Sequence, residues 1–239
     1  MLIDRLLQSQ GFGSRKACRQ LVEAGDVRVN GEPCRDPQAE FDPVGLTFEI
    51  DDESWTYAEH VYLALHKPAN FECTHQPQHH HSVYTLLLEP LVRRGVQSVG
   101  RLDADTTGLL LFSDDGRFIH AMASPKRHIV KHYRATLKHA LDEALPQKLL
   151  AGVLLADETE PLSALSVQAL DSHTLMLSVD QGKYHQVKRM IAAAGNRVEA
   201  LHRSGFGALS LDDGSLPALA PGDCCYLNET HLALLGYRR

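Results

Sequence analysis

Leu2, Ile3, Leu6 and Leu7 recur at helical spacing at the start of the chain, and Gly11 and Gly13 interrupt the pattern. Ser14 then offers an N-cap. Ala17, Leu21 and Val22 line one face of a helix over Arg15–Ala24, which Gly25 stops. Val27-Arg28-Val29 alternates as a strand does, and Asn30-Gly31 is a two-residue hairpin signal. From Val61 the pattern changes. Val61–Leu65 reads as a strand that stops before Pro68, Gly108–Phe112 as a buried apolar run, and Tyr133–Leu137 and Thr174–Val179 as alternating strands. Val187, Met190, Ile191 and Ala194 place a helix over 185–194 that Gly195 ends, and Ala208–Leu211 reads as a late strand. Long connections between several strands predict an α+β fold with a mixed, largely antiparallel sheet rather than regular βαβ repeats. The expected organisation is a small N-terminal helical domain with its linker over 1–59 and a larger domain over 60–239.

Composition narrows the class without naming a chemistry. With 44% hydrophobic and 23% charged residues in 239, the chain can bury a core unaided. No apolar run approaches the roughly 18 residues of a membrane span. The start, Met-Leu-Ile-Asp-Arg, lacks the basic residues and apolar stretch of a signal peptide, so a cytoplasmic location is expected. Cys18, Cys34, Cys73, Cys224 and Cys225 are odd in number and hold no C-x-x-C pair, which argues for free thiols over a disulfide framework or a zinc site. The His79-His80-His81 run reads as a solvated loop rather than a metal site.

Net charge is −6, but its distribution matters more than the sum. Eight acidic residues and no Lys or Arg lie between Asp36 and Glu59, a stretch that reads as a boundary. Arg117, Lys126, Arg127, Lys131, Arg134 and Lys138 follow with no Asp or Glu among them up to His139. Lys183, Lys188, Arg189, Arg197 and Arg203 form a second basic group, opposed by Glu199 alone. Arg15, Lys16 and Arg19 share one exposed helix face. These clusters fit an RNA-binding surface and fit ordinary solvated faces equally well.

Three segments carry candidate chemistry. Gly100-Arg101-Leu102-Asp103-Ala104-Asp105-Thr106-Thr107-Gly108 puts two carboxylates and an arginine into a polar loop beside a buried apolar run. Taken alone it is also a turn with Asx-type hydrogen bonds. Lys131-His132-Tyr133 places a tyrosine at a strand entry inside the basic stretch, where it can stack on a base, move a proton, or sit half-buried. Gly182-Lys183-Tyr184-His185-Gln186-Val187-Lys188-Arg189-Met190 feeds cations into the first turns of a helix, against its dipole. The segment reads either as a charged helix start or as a place where a phosphate or buried carboxylate docks, and the unfavourable placement favours the second.

In this order the three segments resemble the motifs of the pseudouridine synthases, and most closely those of the RsuA branch. The G-R-L-D-x-D-[ST]-x-G-L loop is Gly100 to Leu109. The K-x-Y segment after S-P is Lys131 to Tyr133, following Ser124-Pro125. The G-[KR]-x-H-Q-[VI]-[KR]-[RK]-M segment is Gly182 to Met190. Lys67-Pro68 matches the family's N-K-P, with His66 in place of the asparagine. The N-terminal unit resembles a small RNA-binding domain of a ribosomal protein.

The resemblance implies isomerisation of a uridine in small-subunit (16S) ribosomal RNA by a catalytic aspartate, Asp103, acting on a flipped-out nucleotide, with neither cofactor nor metal. It implies that Tyr133 stacks on the base and takes or relays the C5 proton, and that Lys188 pairs with the aspartate and keeps it ionised. Arg101 is expected to help hold the flipped base. Arg15, Lys16, Arg19, Lys126, Arg127, Lys131, Lys183 and Arg189 are expected to grip the RNA. Asp105 is expected to stabilise the loop through backbone amides near Thr106 and Thr107. The expected state is a monomer, off the membrane, acting on ribosomal RNA within a small-subunit assembly particle. The alternatives are a sibling enzyme of large-subunit (23S) RNA and a non-catalytic assembly factor.

Overall fold

The computed structural model describes residues 1–238. Its N-terminal part starts with helices Ile3–Ser9 and Arg15–Ala24. Ser14 Oγ accepts the Ala17 amide at 3.2 Å and Gly25, at φ 88°, ends the second helix. Asn30 and Gly31 take positive φ at the tip of the hairpin between strands Val27–Val29 and Glu32–Cys34. The sheet then continues into Thr47–Ile50 and Glu53–Thr56, in the order Glu32–Cys34, Val27–Val29, Thr47–Ile50, Glu53–Thr56. Ile3, Leu6, Leu7, Cys18 and Val22 of the helices pack on Val27, Val29, Phe48 and Ile50 of the sheet, all of them buried. The acidic stretch is therefore not a linker. Phe48 and Ile50 alternate with Thr47 and Glu49, so two of its strands close the core of this unit, which is helices on a sheet rather than helical alone.

The division of the chain also differs from a single cut near residue 60. One unit comprises Met1–Val61 together with Leu87–Gln97, and the other comprises Tyr62–Leu86 and the chain from Ser98 onward. Segment Leu87–Gln97 carries the short helix Glu89–Arg93. Arg94 fixes it by donating to Gln10 Oε1 at 3.0 Å and to the carbonyls of Ala58 and Glu59 at 3.0 and 3.1 Å. Gly11 has no side chain to spare there, since a Cβ would meet the Pro90 carbonyl oxygen. These contacts join residues far apart in sequence, which periodicity does not register.

The second unit is built on a nine-stranded mixed sheet. Its main path runs Ser166–Ala169, Thr174–Val179, Lys131–Leu137, Val198–Phe206, Thr107–Ser113, Tyr62–Lys67, Cys224–Tyr226. Every neighbouring pair on that path is antiparallel except Val198–Phe206 with Thr107–Ser113. One core cluster joins Leu145, Leu149, Met190 and Ile191 of helices Leu145–Ala151 and Gln186–Ala193 to Leu137, Leu175 and Leu177. Another joins Phe118, Met122 and Leu232 of helices Gly116–Ala123 and Glu229–Leu234 to Tyr62, Ala64, Leu109 and Leu111. The parallel pair runs between these clusters. No helix among the described residues is long and apolar enough to cross a membrane.

The loop that precedes Thr107–Ser113 is fixed from below. Lys67 is 0% exposed, and its Nζ donates to the carbonyls of Pro68, Asp103, Ala104 and Thr106 at 3.0, 3.1, 3.1 and 2.9 Å. Burial lowers the pKa of this ammonium, and neighbouring Cys73, Asp105 and Asp103 oppose the shift. The backbone adds a turn, with the Thr106 amide on the Asp103 carbonyl at 3.1 Å. Gly108 ends the loop at φ 110°, and a Cβ there would lie 2.2 Å from the Arg203 carbonyl oxygen. Only glycine allows both that dihedral and that approach of the two parallel strands.

A second anchor holds the chain near its C-terminus. Asp115 caps helix Gly116–Ala123 through the Arg117 amide at 2.8 Å and accepts the hydroxyls of Tyr62 and Tyr237 at 2.9 and 2.6 Å. Burial pushes its pKa up, but the Tyr237 and Tyr62 hydroxyls and the helix amides outweigh this and hold it at about 2.

Two predictions follow from these anchors. Lys67→Met strands buried carbonyls and should destabilise the protein by about 1–3 kcal/mol in urea unfolding, with faster hydrogen exchange across the Leu102–Thr106 amides. Unchanged exchange would show that the loop holds itself. Asp115 has a lowered pKa, so its stabilisation is complete above the ordinary carboxylate value and is lost as pH falls toward about 2. Stability measured between pH 5 and 2, roughly that window, should therefore fall more steeply in the wild type than in Asp115→Asn.

Candidate active site

The Gly100–Thr106 loop, strands Lys131–Leu137 and Val198–Phe206, and the Gln181–Val187 segment enclose a cavity of about 550 Å³. That volume lies in the range of small-molecule sites, roughly 300–1,000 Å³. Asp103 lines it, with its side chain about one quarter exposed. Lys188 Nζ lies 2.8 Å from Asp103 Oδ2, and His185 Nε2 lies 3.1 Å from Asp103 Oδ1. The same Lys188 ammonium reaches Asp105 Oδ1 at 2.6 Å. A loop and a helix start, 85 positions apart at Asp103 and Lys188 (188 − 103), thus meet at one carboxylate.

The electrostatics follow from this triangle. Burial lowers the Lys188 pKa, yet hydrogen bonds and charge from Asp103 and Asp105 outweigh it and leave the net shift upward, so Lys188 is an ammonium at neutral pH. Burial raises Asp105, and its bond to Lys188 brings the net shift down. Asp105 is therefore a partner of Lys188 and not, as expected from the loop alone, an anchor on the amides of Thr106 and Thr107. The expectation failed because Lys188 comes from a distant helix, and a side-chain cation offers a carboxylate more than a local amide does.

Local backbone geometry aims the groups. His185 caps helix Gln186–Ala193 at φ 47°, a left-handed conformation that side chains rarely adopt. Its ring stacks on Tyr184 at 3.8 Å. Gln186 folds back to accept the Lys183 amide at 3.0 Å. The register of Lys131–Leu137 against Val198–Phe206 shifts between His132 and Tyr133, an irregularity that re-aims a side chain at a sheet surface. Tyr133 is half-buried and lines the cavity beside Lys131, Arg203 and Phe206.

The expected RNA contacts fall into four settings. Arg101 is exposed at the cavity, and Lys131 lines it half-buried. Lys183 lines the cavity too, but its Nζ pairs with Glu158 at 2.9 Å. Arg189 pairs with Asp157 and donates to the Tyr184 carbonyl. The cations at the helix start are thus balanced by carboxylates, which removes their conflict with the dipole. Lys126 and Arg127 line a second, basic cleft with Arg117, His120 and Arg238. In the other unit, Arg15 Nε and Arg19 Nη2 reach Asp4 Oδ2 at 2.9 and 3.4 Å, and Asp4 is fully buried. Both arginines are about 45% exposed, so the face is ordered by a buried carboxylate rather than freely solvated, while Lys16 is exposed.

Sequence reading gave His185 no role of its own and counted Arg203 only within a basic group. His185 sits inside the quoted motif, where its left-handed backbone is invisible. Arg203 lies in the nine-residue strand Val198–Phe206, whose polar and small residues do not read as a strand, so its place in the cavity was not visible. The histidine loop is also held by a carboxylate that sequence reading did not credit to it: Glu72 accepts the amides of Gln78, His79 and His80 at 3.1, 2.9 and 3.0 Å.

The RNA pseudouridylate synthase family matches residues 61–193, and the S4 domain matches residues 1–43. Relatives include the uncharacterized RNA pseudouridine synthase YtzG of Bacillus subtilis, 36% identical over 98% of both chains. The ribosomal small subunit pseudouridine synthase A of Salmonella typhimurium is 37% identical over 99% of this chain and 100% of its own. A crystal structure of a pseudouridylate synthase, 31% identical, superposes with a TM-score of 0.68 over 98% of this chain and 99% of its own. With a matching catalytic region, a matching S4 domain and relatives alike from end to end, this chain belongs to the RNA pseudouridylate synthase family.

Proposed function

We propose that this enzyme isomerises a uridine of small-subunit ribosomal RNA, with Asp103 as the catalytic carboxylate. The observation that carries the assignment to Asp103 is its position in the cavity, held on one oxygen by Lys188 and on the other by His185. The choice of RNA rests on relatives named ribosomal small subunit pseudouridine synthase A, which are 33–37% identical over nearly the whole chain.

The reaction breaks the N1–C1′ bond of the uridine, turns the uracil and joins its C5 to C1′. A base within folded RNA must leave its stack to meet a group inside a cavity. Asp103 then works at the ribose, either by bonding to C1′ or by taking the C2′ proton. Both roles require the carboxylate form. Lys188 favours that form by its charge and fixes the orientation, as does His185. Tyr133 stacks on the uracil and accepts or relays the C5 proton once the new bond has formed. Arg101 steadies the flipped nucleotide at the cavity edge. Lys16, Arg15 and Arg19, with Lys126, Arg127, Lys183 and Arg189, meet phosphates, which supplies affinity rather than sequence choice.

Mapping pseudouridines in the ribosomal RNAs of cells with and without this protein tests the substrate. A site missing from small-subunit RNA is the expected result, and a site missing from large-subunit RNA would overturn it. Lys188→Met should cut the single-turnover rate on the order of 10²-fold while shifting stability by no more than about 1 kcal/mol. A rate within a factor of about two, far below a tenfold step, would remove Lys188 from the chemistry. Replacing both Arg15 and Arg19 with Gln should lower the slope of log affinity against log salt by about 1–2. An unchanged slope would mean that this face does not meet RNA.

A further inference from the structure

Two of the cavity's cations form no ion pair with a carboxylate among the described residues. Arg203 is 4% exposed and lines the cavity floor. Its Nε donates to the Leu109 carbonyl at 2.8 Å, and its Nη2 is buried with no hydrogen-bond partner. Lys131 lines the same cavity, and its Nζ donates to the Asp180 carbonyl at 3.2 Å. Both cations lie over one ring: the Arg203 guanidinium carbon is 5.4 Å and the Lys131 nitrogen 5.7 Å from the centre of Phe206. Neither forms an ion pair among the described residues. The Asp180 carboxylate lies 2.8 Å from His128 Nδ1 and meets Lys131 only through its charge, the Lys131 contact being to the Asp180 backbone carbonyl. The Cys73 thiol, within electrostatic reach of Arg203, is pushed up by burial and stays neutral. Burial and the charge of Arg203 push the Lys131 pKa down, and the charge of Asp180 opposes them without reversing the shift. Buried like charges with an unused donor are costly unless a negative group arrives to meet them.

The proposed reaction creates such a group. When the N1–C1′ bond breaks, its electron pair stays on N1, and the neutral base becomes a uracil anion with charge shared by O2 and O4. The ribose carries the matching electron deficit, which Asp103 meets at C1′ or relieves by taking the C2′ proton. As C5 bonds to C1′, the Asp103–C1′ bond breaks and its electron pair returns to the carboxylate, or Asp103 returns the proton to C2′. Loss of the C5 proton and protonation of N1 then give a neutral product and an ionised Asp103. We infer that Lys131 and Arg203 form a cationic pole that binds the uracil carbonyl edge and stabilises the negative charge it gains as N1 departs. A donor pair set where charge develops is a large source of rate in a water-poor site. A phosphate is the other anion the RNA offers. It suits the exposed Arg101 and Lys183 better than a buried arginine over the Phe206 ring, in a cavity that Val99, Met122 and Leu201 also line and whose apolar surface fits a heterocycle.

The inference rests on Asp103 as the group at the ribose, and leaving-group dependence tests it separately. Small-subunit ribosomal RNA is transcribed with uridine or with 5-fluorouridine, and N1–C1′ cleavage is followed in single turnover. Fluorine at C5 stabilises the departing anion and lessens the need for a protein cation. Lys131→Met should lose on the order of 10²-fold in rate on uridine but less than about tenfold on 5-fluorouridine, with RNA affinity kept within about threefold. Lys131→Arg should recover most of the rate. Arg203→Gln should show the same unequal loss, with thermal unfolding followed alongside because its Nε also bridges strands. Equal losses on the two RNAs, or a loss confined to affinity with a shallower salt slope, would overturn the pole. Cleavage by Asp103→Asn would instead overturn the underlying reading of the site.

Discussion

A lysine ammonium taken out of water needs acceptors on every side, and Lys67 finds them in the carbonyls of Pro68, Asp103, Ala104 and Thr106. The requirement runs both ways. The loop backbone, without a helix or ladder at this point, needs donors for those same carbonyls. One buried cation therefore folds the loop around itself and leaves the Asp103 side chain pointing away from it into the cavity. Gly108 lets the following strand lie against the Arg203 backbone, so the loop is held beneath by Lys67 and at its end by a close strand approach. Everything the site does depends on that fixed loop.

Charge in the second unit is arranged in opposed pairs. Asp103 and Asp105 share Lys188, and Asp157 and Glu158 take Arg189 and Lys183. Asp180 takes His128. Lys131 and Arg203, inside the cavity, form no such pair among the described residues. The carboxylate proposed to work on the sugar and the cations proposed to receive the base line one cavity, so the proposed site is polarised along the direction in which electrons move when the glycosidic bond breaks. An acidic protein with net charge −6 thereby keeps a strongly cationic reaction pocket.

Much of this was legible in the sequence, and the remainder was hidden for identifiable reasons. Helix Arg15–Ala24 was readable because Ser14 and Gly25 are strong local signals, and strands Tyr62–Lys67, Lys131–Leu137 and Thr174–Val179 because their apolar pattern is plain. Strand Val198–Phe206 was not, since Arg203, Ser204 and Gly205 are buried by neighbours distant in sequence. The acidic stretch read as a boundary because charge is conspicuous, whereas Phe48 and Ile50 carry its structure. Segment Leu87–Gln97 could not be placed with the N-terminal unit, because Arg94 acts on Gln10, Ala58 and Glu59 across long sequence separations. Motifs located the Asp103, Tyr133 and Lys188 segments. The bridging of two carboxylates by Lys188 and the approach of His185 are three-dimensional facts that no spacing rule contains.

The central claim is that a single carboxylate, oriented by Lys188 and His185, drives the isomerisation of uridine in RNA. Tritium release from small-subunit ribosomal RNA labelled at C5 of uridine measures it most directly, because the C5 proton leaves only after the new carbon–carbon bond has formed. The purified enzyme should release tritium at its target, while Asp103→Asn, which keeps the shape and removes the charge, should bind the same RNA and release none above background. Sustained release by Asp103→Asn would contradict the account.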